Sequence, residues 1–116
     1  MPSEGRDAAY LSDMLSAAEA VQRFVNNRTF NDLLTDDFLQ AAVERKIEII
    51  GEAARRVSES CQAAHPEIEW RKIIATRHIF AHDYGELDYE VVWRIATIHV
   101  PLLVEQLRRL SLQDDQ

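Results

Sequence analysis

The sequence predicts an all-α protein, a bundle of four main helices with short connections, the last helix kinked at Pro101. Three observations lead there. Apolar residues recur at three- and four-residue spacing along nearly the whole chain, no run alternates with the period of a strand, and only 3 Gly and 3 Pro interrupt 116 residues. With 47% hydrophobic residues the composition is globular, and the length suffices for one core, so residues 1–116 read as one domain. No internal repeat or low-complexity segment is present.

From Arg6 to Val25, the positions Tyr10, Leu11, Met14, Leu15, Ala18, Val21 and Phe24 form one apolar face of a first helix. Asn26-Asn27-Arg28 breaks the pattern, and Thr29 is placed to cap a short helical turn through Leu33 and Leu34. Thr35-Asp36-Asp37 opens the second helix, whose stripe of Leu39, Val43, Ile47, Ile50, Ala54 and Val57 extends to about Ser60. Gly51 costs roughly 1 kcal/mol relative to Ala there, which implies a close neighbour, either another helix or the same helix of a second copy. Glu44, Glu48 and Glu52 share a face; they are either solvated or paired with Arg45, Arg55 and Arg56, or turned toward the active segment.

His65-Pro66-Glu67 closes one element and opens the next, with Pro66 suited to a first turn and His65 a loop residue. From Ile68 or Trp70 a third helix carries Ile73, Ile74, Phe80 and Ala81 and stops at Gly85. Asp88 caps the last helix, with Glu90 in its first turn, and Val91, Val92, Ile95, Ile98, Leu102, Leu103, Leu107 and Leu110 follow at helical spacing. Pro101 should kink that run or divide it, and the polar tail from Ser111 is expected to fray.

A net charge of -7 disfavours broad electrostatic binding of nucleic acid, so any RNA contact has to be local. Arg71, Lys72, Arg77, His78 and His82 offer such a local supply, and a two-fold dimer would set two patches side by side. A lone Cys61 cannot form an internal disulfide, the segment Met1 to Asp7 lacks an apolar core of signal type, and no run approaches the length of a membrane span. The expectation is a soluble, cytoplasmic protein.

Chemistry concentrates in Thr76-Arg77-His78-Ile79-Phe80-Ala81-His82-Asp83-Tyr84-Gly85. Arginine offers a planar fork for phosphate and histidine titrates near neutrality, a pairing suited to phosphodiester chemistry. On a regular helix Arg77 and His82 lie about 140° apart, while His78 and His82 share a face. A working pair therefore needs a distorted helix end or a second copy of the segment. At a helix C-terminus an anion must be held by the cations, not by backbone N–H groups. His78 and His82 have the i, i+4 spacing of metal ligands, yet no intervening Glu or clear third ligand joins them, so no metal or other cofactor is expected. Asp83 either orients a histidine or is a solvated residue at the helix end. Ser58, Ser60 and Cys61 show no nucleophile setting, and a glycine-rich phosphate loop is absent.

The run Arg77-x-x-x-x-His82-x-Tyr84 resembles the signature of the HEPN superfamily, in its HepT-like branch of small all-helical toxins partnered with minimal nucleotidyltransferase antitoxins. Asp13-Met14-Leu15, Glu48-Ile49-Ile50-Gly51-Glu52-Ala53 and Leu102-Leu103 after Pro101 also resemble that branch, and the likeness covers nearly the whole chain. The residue after the arginine is often Asn or Asp in the signature and is His78 here. The resemblance implies a HEPN-type bundle and a metal-independent RNA endonuclease, with Arg77 as the charge clamp, His82 as the acid/base and His78 as a second proton carrier or phosphate ligand. It implies further that Tyr84 accepts AMP from the cognate antitoxin. Geometry adds the expectation of a homodimer, with third helices, or third and second, facing across a two-fold axis. A different class remains open beside it: a catalytically silent, dimeric module whose task is to engage the nucleotidyltransferase.

Overall fold

The structure, a computed structural model, describes residues 2–81 and 87–114, with side chains from 5 to 80 and from 87 to 110. Every regular element among them is helical. In chain order these are α1 (Pro2–Val25), α2 (Phe30–Thr35), α3 (Asp37–Arg56), α4 (Glu59–Ala64), α5 (Trp70–Ala75), α6 (Arg77–Ala81), α7 (Tyr89–Arg94), a π-helical turn (Ile95–His99) and α8 (Val100–Asp114).

The caps follow from local chemistry. Thr29 Oγ accepts from the Asp32 N–H while the Asp32 carboxylate accepts from the Thr29 N–H, a reciprocal box that starts α2. Asp36 serves both helices: its N–H donates to the Asp32 carbonyl and closes α2, and its carboxylate accepts from the Phe38 and Leu39 N–H groups and starts α3. Asp88 accepts from the Glu90 N–H at the head of α7.

The core lies where α1 packs on α3 on one side and on α8 on the other. Met14, Ala17, Ala18 and Val21 of α1 close on Val43, Ile47, Ile50 and Ala54 of α3, with Val92, Ala96, Leu103, Val104 and Leu107 completing the cluster. Fully burying one such branched side chain contributes about 1.5–3 kcal/mol, whereas the alanines contribute mainly by letting backbones approach.

Three boundaries differ from the sequence expectation, each for a local reason. The second helix stops at Arg56, because the Ser58 side chain caps a separate α4 by accepting from the Cys61 N–H. Asp7 fixes that junction: buried on α1, it accepts from the Ser58 N–H at 2.9 Å and the Ser58 hydroxyl at 2.6 Å. Pro66 lies in a turn and not in a first helical turn; α5 begins only at Trp70, whose Nε1–H donates to the His65 carbonyl across that turn. The third helix is divided at Thr76, whose hydroxyl donates to the Ile73 carbonyl and whose N–H reaches the Lys72 and Ile73 carbonyls.

Around Pro101 the helical run changes type. Proline supplies no N–H and its ring crowds the carbonyl four residues back, so the chain widens into the π turn just before it. The Val100 N–H there reaches the Ile95 carbonyl, and the Thr97 hydroxyl donates to the Trp93 carbonyl.

Candidate active site

The site is assembled by one close approach. At Gly51 the backbone of α3 lies against the break between α5 and α6: a β-carbon there would stand 3.1 Å from the Ile73 carbonyl oxygen and 3.4 Å from the Thr76 hydroxyl. The neighbour that Gly51 implies is thus a helix of the same chain. Because Gly51 touches the break, the next residue, Glu52, faces the first residue of α6, and Arg77 Nη1 lies 3.6 Å from Glu52 Oε2.

Glu52 is shared. Its Oε1 accepts from Arg55 Nη2 at 2.8 Å and from Arg56 Nε at 3.2 Å. For Glu52 both readings of this face therefore hold at once, since its carboxylate is paired along its own helix and also reaches Arg77. Arg55 foremost, with Arg56 behind it, holds the Glu52 carboxyl below the usual carboxylate range against the opposing effect of desolvation. Glu52, with Tyr10 after it, raises the already basic Arg56. A groove continues from Arg77 along α3 and α1, lined by Tyr10, Asp13, Arg45, Glu48 and Arg56. Glu44 stands apart, accepting from the Tyr89 hydroxyl at 3.2 Å.

His78 is exposed on α6, one residue from Arg77 and so about 100° around the helix. The break at Thr76 precedes Arg77, which leaves the stretch from Arg77 to Ala81 helical and does not itself turn Arg77 toward a following histidine. His82, Asp83, Tyr84 and the expected stop at Gly85 lie outside the described residues. Of the local cations expected near Arg77, Lys72 pairs with Glu69 at 3.1 Å and Arg71 is exposed on α5. The cations that gather with Arg77 are instead Arg55 and Arg56. Spacing alone shows those two only as i+3 and i+4 partners of Glu52; their link to Arg77 runs through the tertiary contact at Gly51.

Among the described residues no group of three His, Cys, Asp or Glu side chains is placed to hold a metal, and no helix is long and apolar enough to cross a membrane. A second groove, between α3, α5 and α8, is apolar and lined by Ile47, Ile50, Ile73, Ile95, Leu102 and Leu103.

Among the described residues every regular element is helical and packs on a shared core, an architecture consistent with the all-α HEPN bundle. The chain belongs to the ribonuclease HepT-like family, whose model matches residues 14–110. It is 35% identical over 101 residues to a probable ribonuclease HepT of Thermococcus cleftensis, covering 87% of this chain and 92% of that protein. It is 30% identical over 99 residues to a candidate RNase of Methanocaldococcus jannaschii, covering 85% of this chain and 91% of the relative. A candidate RNase of Caldanaerobacter subterraneus is 28% identical over 101 residues, with 87% and 90% covered. No solved structure matches the chain.

Proposed function

We propose that this protein is an RNA endonuclease that works without a metal, the toxin of a toxin–antitoxin pair of the type II or type VII kind, acting in the cytoplasm. The observation that carries the reading is family membership across residues 14–110, a span that contains Arg77, His82 and Tyr84. In the reaction the 2′-oxygen of RNA attacks the adjacent phosphorus as its proton is removed. The bond to the 5′-oxygen then breaks with a proton delivered to that leaving group, giving a cyclic phosphate and a 5′-hydroxyl. Arg77 stabilises the charge on the phosphorane, His82 carries one proton, and His78 or the His82 of a second copy carries the other, with Asp83 orienting a histidine. A homodimer joins two copies of the segment, which reconciles the divergence of Arg77 and His82 around one helix. The cognate minimal nucleotidyltransferase silences the enzyme by transferring AMP to Tyr84.

The test is cleavage of RNA by purified protein in the presence of a chelator. Arg77→Ala and His82→Ala should each lower the rate by ~10²–10⁴-fold with the fold intact. Full inhibition by the chelator, or unchanged cleavage in both variants, would overturn the mechanism.

A second reading has its own support. Ile98 and Leu102 are exposed, at 60% and 53%, and Leu102 lies on the apolar groove of α8, a surface suited to a protein partner. On that reading the chain is a catalytically silent dimeric module that engages the nucleotidyltransferase, and wild-type protein freed of its partner leaves RNA uncut.

A further inference from the structure

We propose that Arg55 and Arg56, gathered with Arg77 around the Glu52 carboxylate, form a subsite for an RNA backbone phosphate neighbouring the one that is cleaved. The proposal rests on the ribonuclease reading and adds to it residues outside the Arg-x-x-x-x-His signature.

Charge is the first support. A chain of net charge -7 repels RNA at long range, so phosphate binding has to be built from cations that are not each cancelled by a carboxylate. Arg28, Arg108 and Arg109 pair with Asp36, Glu19 and Glu105 respectively. Around Glu52 the ratio is different, because three guanidinium groups share one carboxylate. Along the adjoining groove Arg45 stands with Asp13 and Glu48, so the wider surface is mixed and the excess of positive charge sits at the Glu52 cluster itself.

Geometry is the second support. Each arginine carries five N–H donors, and only one contact to Glu52 is made by each of Arg55, Arg56 and Arg77. At 48%, 53% and 38% exposure, the three groups keep donors open to an acceptor arriving from solvent, Arg56 also engaging Tyr10. Phosphate oxygens match such forks, singly or as a bidentate pair. Glu52 then acts as a positioning residue. It holds like charges together and keeps Arg77 on the side of α6 that faces α3, while touching no reacting atom. An exposed i, i+3 or i, i+4 pair on a helix end is an ordinary feature worth little by itself. What sets this one apart is the contact to Arg77 from a separate helix, made possible by Gly51.

The experiment measures binding of a short, mixed-sequence 2′-O-methyl RNA, which cannot be cleaved, together with kcat and KM on the unmodified RNA. The Arg55→Ala/Arg56→Ala double variant should bind about 10-fold more weakly, and its slope of log affinity against log salt should shrink by about 0.7–1.4, one or two phosphate contacts. Arg109→Ala removes the same kind of charge outside the cluster and should leave binding within about 2-fold. Glu52→Gln should lower kcat without raising KM, since a negative charge leaves the RNA surface while Arg77 loses its tether. Unaltered RNA binding in the double variant overturns the subsite, as does an equal loss in Arg109→Ala or a wild-type protein that does not bind the probe. Wild-type protein that binds without cleaving would instead sink the ribonuclease reading, with the subsite judged on the binding of the double variant alone.

Discussion

Gly51 and Ile73 meet with no room for a side chain: a β-carbon on the glycine would lie 3.1 Å from the Ile73 carbonyl oxygen. That carbonyl already accepts the Thr76 hydroxyl and belongs to the helix break that precedes Arg77, so it has little freedom to retreat. In Gly51→Ala the gain in helix propensity of roughly 1 kcal/mol should be offset by the forced shift, leaving stability nearly unchanged. Gly51→Leu has no such balance and should cost about 2 kcal/mol through overpacking, while moving Glu52 away from Arg77. Urea unfolding checks the stability, and an unchanged midpoint for the leucine variant would show that α5 and α6 are free to slide.

Asp7 should matter for stability out of proportion to its place near the start of α1. It is 8% exposed and accepts both the N–H and the hydroxyl of Ser58, the residue that starts α4. Asp7→Ala leaves both donors without their carboxylate and should cost about 1.5–3 kcal/mol, the usual range for hydrogen bonds to a charged group. Chemical denaturation would register the loss; an effect near zero would mean that water replaces the carboxylate at this junction.

The Glu52 cluster carries a pH signature. Arg55, then Arg56, lowers the Glu52 carboxyl from its ordinary 4.5, and a group whose folded pKa is depressed contributes stability above the unfolded value and loses it as pH falls through the folded one. The contribution is therefore whole near neutrality and disappears in acid below about pH 4.5. Wild type and Glu52→Gln should differ in thermal midpoint at neutral pH and converge in acid. A difference that persists unchanged at low pH would assign the effect to packing and not to charge. The exposed setting keeps the difference small and makes it decrease with added salt.

Tyr84 gives the regulatory prediction. On the proposed regulation, incubation with the proposed nucleotidyltransferase, ATP and Mg²⁺ should add the mass of one or more AMP groups and abolish RNA cleavage, because each AMP adds a bulky nucleotide and a phosphodiester charge that competes with RNA phosphate for cations. Tyr84→Phe should gain no AMP and keep its activity. A phenylalanine variant that is still modified and still silenced would put the switch on another residue.

The parts of the fold legible in the sequence are those governed by near neighbours. Thr29 with Asp32, Asp36 before Phe38 and Leu39, and Asp88 before Glu90 are short-range caps, and each sits where its residue types indicate. The apolar stripe of α3 likewise needs only the helical period. The division at Thr76 is less visible, because a threonine in a helical pattern does not reveal whether its hydroxyl will take a carbonyl from the ladder. The end of α3 depends on Asp7, 51 residues away from Ser58, and no local pattern reports that tie. For the site, Arg77 was evident as a residue type, whereas its companions were not. Arg71 and Lys72 are near in sequence, but the helix crossing at Gly51 brings Arg55 and Arg56 around the same carboxylate instead.

The π turn at Ile95–His99 works as a length adjuster within the last helical run. Val92, Ala96 and Val100 are buried at successive four-residue steps, after which Leu103, Val104, Leu107 and Leu110 continue the face. An α-helix would carry two consecutive steps of four about 80° out of line, and the wider turn absorbs that rotation. In effect the run holds one residue more than a regular helix needs. Removing the exposed Ile98 would bring the buried positions to the four-then-three alternation of an ordinary amphipathic helix, so the face toward α1 would stay in phase. The same deletion within α3 would rotate half of its stripe by about 100° and expose the core. A one-residue deletion is therefore less disruptive just ahead of Pro101 than within α3, and least so when Pro101 is also replaced by Ala, because the proline ring would crowd the regular turn that the deletion restores.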